Sequence, residues 1–320
     1  MAWAIDSAAL ALVAVRAVHF SATALTAGVL LFRAVIGTPA TMTSPASAQR
    51  ADTQTRQLAG WGLLVAVLSG AVWFVLTAAD MGNLAVSRAL HADVLTTVAE
   101  ATQFGSVAVT RLVLALLLGA SLAFDGIKPM RLLTLALALG LMASIAWTGH
   151  GGSGFGVEGD LRLAADALHV IAASAWIGGL VPLALLLSAA LHDNSSASIT
   201  VARIATQRFS LLGIASVGTL VATGSINAWF LVGSSRALFG TEYGRVLLAK
   251  LALFAVMLSF AAFNRAVLTP RLVAPATAGS QPAVARTLTH HCVVEFALGL
   301  IILGVVGWLG TLHPASHFMN

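Results

Sequence analysis

The sequence predicts an all-α fold, a polytopic membrane bundle of about eight transmembrane helices, and three observations predict it. Of 320 residues, 58% are hydrophobic and only 9% are charged, where a soluble domain carries about 25% charge. Mean hydropathy is +0.93. Apolar stretches long enough to cross a hydrocarbon core, about 20 residues each, recur along the whole chain. Lipid offers backbone groups no hydrogen-bond partner, so such stretches span as helices.

The segments lie near 8–34, 58–79, 104–124, 131–149, 163–190, 209–232, 245–267 and 290–312. The first opens without the basic flank of a signal peptide, so Met1 to Leu10 read as direct entry into a helix. The longest loops, near 35–57 and 268–289, are rich in Ala, Thr, Ser and Pro and are expected to be flexible connectors. No stretch is left for a soluble domain, so residues 1–320 are expected to form one integral membrane domain.

Charge sets the orientation. The isoelectric point near 10.6 invites a nucleic-acid reading, but the basic residues cluster in loops beside apolar segments, as the positive-inside rule requires. One set of loops holds Arg33, Arg50, Arg56, Lys128, Arg131, Arg203, Arg208, Arg265, Arg271 and Arg286. The opposite set holds Arg88, Arg162, Arg236 and Arg245. Ten against four places both termini outside the cytoplasm.

The chain also repeats itself. Phe104-Gly105 precedes Arg111 as Tyr243-Gly244 precedes Lys250. His19 and Gly28 align with His169 and Gly178, and Ser69-Gly70 resembles Thr223-Gly224. Trp147 and Gly149 match Trp308 and Gly310. Four matches in one order predict a parallel 4+4 repeat, with halves of about 1–150 and 151–320 and an axis along the membrane normal.

Histidine is the residue type that points to chemistry. Neutral imidazole is the commonest side-chain ligand for transition metals, and ionisable groups inside a membrane usually face a pathway or the bundle interior. His19 and His169 sit inside their helices, past the outer end, at matched positions that a pseudo-twofold would bring face to face. Asp166 stands three residues before His169, on the same helical face, where it would hold one ring nitrogen and aim the other at a metal. Arg16 holds the matching place before His19. His150, followed by Gly151-Gly152-Ser153-Gly154, and His313, just before Pro314, close the fourth and eighth helices at the outer mouth, near His91 and His317. Trp176 lies two turns past His169 and completes its surroundings. Each of these residues also has a bland reading, an interhelical hydrogen bond or a helix end. Arg111 and Lys250 read first as buried structural bases, and Glu295 and Asn264 as lining for an inner exit.

Several classes are excluded. The single cysteine, Cys292, permits no internal disulfide and no thiolate cluster. Neither a phosphate-binding Walker motif nor a His-Glu-x-x-His motif is present. The methionines are scattered, which argues against a thioether conduit for copper(I).

At this point the chain resembles a known family, the CopD copper-resistance membrane proteins of bacteria. The resemblance rests on Arg16-x-x-His19, Gly149-His150, Asp166-x-x-His169 and Trp176-Ile177-Gly178-Gly179. It continues through Arg208-Phe209-Ser210, Gly224, Asn227, Tyr243-Gly244-Arg245, Lys250, Asn264-Arg265, Glu295 and Pro314. It implies copper handling in the bacterial inner membrane, import of copper ion, and a separate periplasmic copper-binding protein of the CopC type as donor. No enzyme activity and no nucleic-acid partner are expected; the lipid bilayer is. On this reading His19, His150, His169 and His313 bind the metal. A haem-binding redox protein with axial histidines and a copper-binding scaffold without transport stand as alternatives.

Overall fold

Helices satisfy their own backbone groups within one segment, and the apolar stretches of this chain form helices throughout. The computed structural model describes residues 7–41, 45–149, 156–193, 195–274 and 280–314. The expectations for Met1 to Asp6, for His150 with the glycine-rich stretch to Phe155, and for His317 lie outside the described residues. Among the described residues there is no strand, and eight helices are long and apolar enough to cross a membrane. They are Ser7–Thr41, Ala48–Gly82, Gln103–Ala123, Pro129–Thr148, Gly156–Asp193, Ser196–Val232, Glu242–Val273 and Gln281–Leu309, spans 1 to 8 below.

The long connectors are a correction. Segments 35–57 and 268–289 are largely helical. Span 1 passes through a π-helical turn at Arg33–Gly37 and continues to Thr41. Helix resumes at Pro45, a residue suited to the first helical position. The following Ala, Gln and Arg residues are good helix formers, so the helix runs well beyond the lipid-soluble part of the segment. Span 7 likewise passes a π-helical turn at Asn264–Leu268 and ends at Val273. Hydropathy marks where a chain enters lipid, and helix propensity decides where the helix ends.

Spans 1 and 5 form the centre. Span 1 packs on spans 2, 4, 5 and 8, and span 5 packs on spans 1, 4, 6 and 8. Spans 3 and 7 sit outside, against spans 4 and 8 respectively. Burial follows: 61% of the apolar window of span 5 is buried, against 11% for span 7. Gly28 and Gly178 make the central crossing possible. A methyl group on Gly28 would collide with Ser174 O and lie 2.6 Å from Gly178 Cα. One on Gly178 would lie 2.6 Å from Ala24 O and 2.8 Å from Gly28 Cα. These contacts are to backbone, which cannot swing aside.

The outer loops carry short helices, Val86–Ala89, Ala92–Ala101 and Ser235–Gly240. Spans 3 and 7 begin alike after them. The Thr102 hydroxyl accepts the Gly105 N–H at 2.9 Å, and the Thr241 hydroxyl accepts the Gly244 N–H at 3.0 Å. Each glycine lies so close to the preceding helix that a Cβ would strike a carbonyl, Val98 O or Leu238 O. The matched Phe-Gly and Tyr-Gly pairs therefore have a local cause: a cap, then a close approach.

Candidate metal-handling site

His19 is 5% exposed and projects from span 1 toward spans 2 and 3. Its Nδ1 lies 2.9 Å from Ala66 O, and its Nε2 lies 2.6 Å from Arg111 Nη2. A carbonyl only accepts and a guanidinium only donates, so the ring is the neutral tautomer with its proton on Nδ1. Arg111 Nη1 donates onward to Leu141 O at 3.0 Å and to Ser144 Oγ at 2.6 Å. Both nitrogens of His19 are thus spent within the protein, and no lone pair is left for an ion. Arg16 adds a second base at this level, its guanidinium over Trp73 at 5.2 Å and over Phe20 at 5.6 Å. A cavity of about 480 Å³ opens beside His19 and Arg111, walled by Trp73, Phe74 and Phe104.

His169 is half-buried on span 5 and turns toward spans 6 and 7. Its Nδ1 lies 3.0 Å from Thr223 Oγ1, and that hydroxyl donates its own proton to Thr219 O at 2.6 Å. Thr223 is therefore the acceptor, the ring carries its proton on Nδ1, and Nε2 has no hydrogen bond among the described residues. The surroundings of the two histidines correspond. Ser69 lies 3.3 Å from His19 Nδ1, where Thr223 meets His169. A methyl on Gly70 would stand 3.1 Å from His19 Cε1, and one on Gly224 3.5 Å from His169 Cε1. The difference is the base: Arg111 bonds His19, whereas Lys250 acts on His169 only through its field.

Three expectations change with this geometry. His19 and His169 do not face one another, because each looks into its own set of neighbouring spans. Asp166 does not hold the His169 ring; it accepts from Asn227 Nδ2 at 3.3 Å, with Lys250 and Arg162 in electrostatic reach. Threonine takes the orienting role because span 6 is the nearer wall. Trp176 does not complete the His169 surroundings either. Its indole N–H reaches Glu295 Oε2 at 3.2 Å, deeper along span 5.

Glu295 and Asn264 do come together. Glu295 is 2% exposed, and Asn264 Nδ2 donates to its Oε1 at 2.6 Å. His291 Nδ1 donates to Asn264 Oδ1 at 2.6 Å, with its ring edge-on to Phe260. The result is an unbroken chain, Trp176–Glu295–Asn264–His291, linking spans 5, 8 and 7. Sequence reasoning placed Glu295 and Asn264 on one route but missed His291, whose signal was its position one helical turn from Glu295. It also missed the ion network at the same end of the bundle, where Arg33 holds Asp52 at 2.6 Å and bonds fully buried Asp125.

His91 and His313 are exposed, His91 at the start of the Ala92–Ala101 helix and His313 just past span 8. Among the described residues no three His, Cys, Asp or Glu side chains cluster as a metal site.

Two family models match the chain: copper resistance protein D over residues 203–309, and the N-terminal domain of copper resistance protein D-like proteins over residues 5–160. Copper resistance protein D of Pseudomonas syringae pv. tomato is 30% identical over 258 residues, covering 79% of this chain and 81% of that one. Inner membrane protein YebZ of Escherichia coli K12 is 28% identical over 310 residues, covering 94% and 98%. Copper transport protein CutJ of Bacillus subtilis 168 is 32% identical over 158 residues, 49% of this chain and 26% of the longer relative. No solved structure gives a significant match.

Proposed function

Since the chain belongs to the copper resistance protein D family, we propose that it carries copper inward across the bacterial inner membrane, with His169 as the outer intramembrane ligand. The observation that carries this reading is the Nε2 of His169, a neutral imidazole nitrogen with no hydrogen bond among the described residues, inside the membrane span with its ring fixed by Thr223. The names of two relatives support it: one is called a copper transport protein and another an inner membrane protein. Basic residues concentrate at the end opposite the outer histidines, which favours both termini in the periplasm. His313 and His91 then stand at the mouth, where a periplasmic copper-binding protein of the CopC type would deliver the ion. Asp166 supplies negative charge one turn outside His169 and draws the cation past the mouth. His19 serves the packing of spans 1, 2 and 3.

The test compares wild type with His169→Ala and His19→Ala in proteoliposomes. It reads copper entry with an entrapped chelator and copper bound per purified chain. His169→Ala is expected to lose copper entry and most bound copper while remaining folded. His19→Ala is expected to keep its bound copper and to unfold more readily. Undiminished entry in folded His169→Ala overturns the reading.

A further inference from the structure

Matched positions in the two halves carry opposite chemistry. At the depth of the histidines the first half has Arg16 and Arg111, neither paired with an acid among the described residues, and Arg111 donates straight into the histidine. The second half has Asp166 in the place of Arg16, and its base, Lys250, makes no hydrogen bond to the histidine. At the inner level, counting back from Trp147 and Trp308, Thr134 stands where the second half has Glu295. Thr134 donates to Ser121 Oγ at 3.0 Å and Met130 O at 2.8 Å, a neutral arrangement. The first half does keep an acid there, Asp125, but Arg33 neutralises it. Asn264 takes the place of Asp125 in the second half.

A cation therefore meets bare positive charge in the first half and carboxylates in the second. Glu295 is the decisive group. It is buried in the middle of span 8, its hydrogen-bond donors are the neutral indole of Trp176 and the neutral amide of Asn264, and no Lys or Arg pairs with it among the described residues. A buried carboxylate without a cation costs several kcal/mol and is stable only if it takes up a proton or a metal ion. Asn264 opens a π-helical turn, a distortion that frequently marks functional sites.

We propose that the copper route lies in the second half alone, and that Glu295, Asn264 and His291 form its inner station. This rests on the transport reading and adds the path and the second binding site. Span 5 links the two stations: it carries His169 and, seven residues on and on the same face, Trp176, whose indole bonds Glu295, a step of about 10 Å. A half-turn of the Asn264 amide replaces Nδ2 with Oδ1 beside Glu295, so that two oxygens face the ion, while His291 changes tautomer, accepts the Asn264 N–H at Nδ1 and holds the amide in place. Carboxylate and amide oxygens hold copper more weakly than thiolate does. A weak inner station lets the ion leave past half-buried His291 and exposed His290.

The test measures copper entry into proteoliposomes for full-length wild type, Glu295→Gln, Asn264→Ala and His169→Ala, with thermal unfolding as a control for folding. Glu295→Gln retains the shape of the side chain and removes its charge. It is expected to cut copper entry at least about tenfold, the loss that disturbed metal surroundings commonly cause, while His169→Ala also fails. If Glu295→Gln does not fold, Asn264→Ala carries the same expectation. Wild-type entry in folded Glu295→Gln or Asn264→Ala, with entry lost in His169→Ala, overturns the inner station and leaves the transport reading intact. Wild-type entry in all three overturns both.

Discussion

At the scale of residues, the decisive facts are which ring nitrogens are spent. Arg111 bonds His19 Nε2, Leu141 O and Ser144 Oγ with two of its nitrogens, so it ties span 3 to spans 1 and 4. Arg111→Met is expected to remove three hydrogen bonds, leaving His19 Nε2 unpaired while Leu141 O keeps the Ser144 hydroxyl, and to cost about 1.5–3 kcal/mol, the range for a hydrogen bond to a charged group. Thermal unfolding of the purified protein checks this, and an unchanged midpoint would remove Arg111 from the account. His169 contrasts with His19 because lysine at the matched position is a point charge on a flexible stem, whereas arginine is a planar fork that reaches and locks. One exchange of base thus separates a histidine with both ring nitrogens bonded from one whose Nε2 has no hydrogen bond among the described residues.

At the scale of elements, small residues decide where helices meet. The hydrophobic effect does not hold helices together in lipid, so close packing and polar contacts must. Gly28 and Gly178 allow spans 1 and 5 to touch backbone to backbone at the centre. Gly178→Val forces side-chain atoms into Ala24 O and Gly28 Cα and should destabilise the bundle by at least about 1–3 kcal/mol, the range for overpacking. The same substitution at Gly213, which has open space around its Cβ position, should be silent in a detergent unfolding assay. Equal effects at both sites would mean that the crossing is not a constraint. Helix ends obey a different physics. Capping threonines and helix-forming polar residues set them, which is why spans 1, 2 and 7 outrun their apolar segments.

At the scale of the molecule, the charge distribution favours one orientation, which thiol labelling tests. Cys292 is 3% exposed, so a membrane-impermeant thiol reagent should not reach it, and single added cysteines can be read without interference. Ser87→Cys, in the loop after span 2, should label from outside intact cells, and Gln54→Cys, in the polar first turns of span 2, only after permeabilisation. The reverse pattern would invert the topology and, with it, the direction assigned to the copper route. The division of labour between the halves also belongs to this scale. The proposed path joins Asp166, on span 5, to Glu295, on span 8 and bonded to span 5 through Trp176, at two depths of the bundle.

The number of spans, their all-helical form and the membership of the family were legible in the sequence, because each depends on local composition or on short motifs read in order. The histidine-bearing helices were legible for the same reason. The roles of those histidines were not. His19 meets a guanidinium 92 residues away, and Trp176 meets a carboxylate 119 residues away, so their partners follow from how spans pack. Spacing along one helix put Asp166 and Trp176 beside His169, but a hydrogen bond goes to the nearest suitable atom across the interface, and that was Thr223. Composition alone determined that this chain lives in lipid. The tertiary structure decided which buried nitrogen and which buried carboxylate are left for an ion, because in lipid every polar group that finds a protein partner is withdrawn from other chemistry.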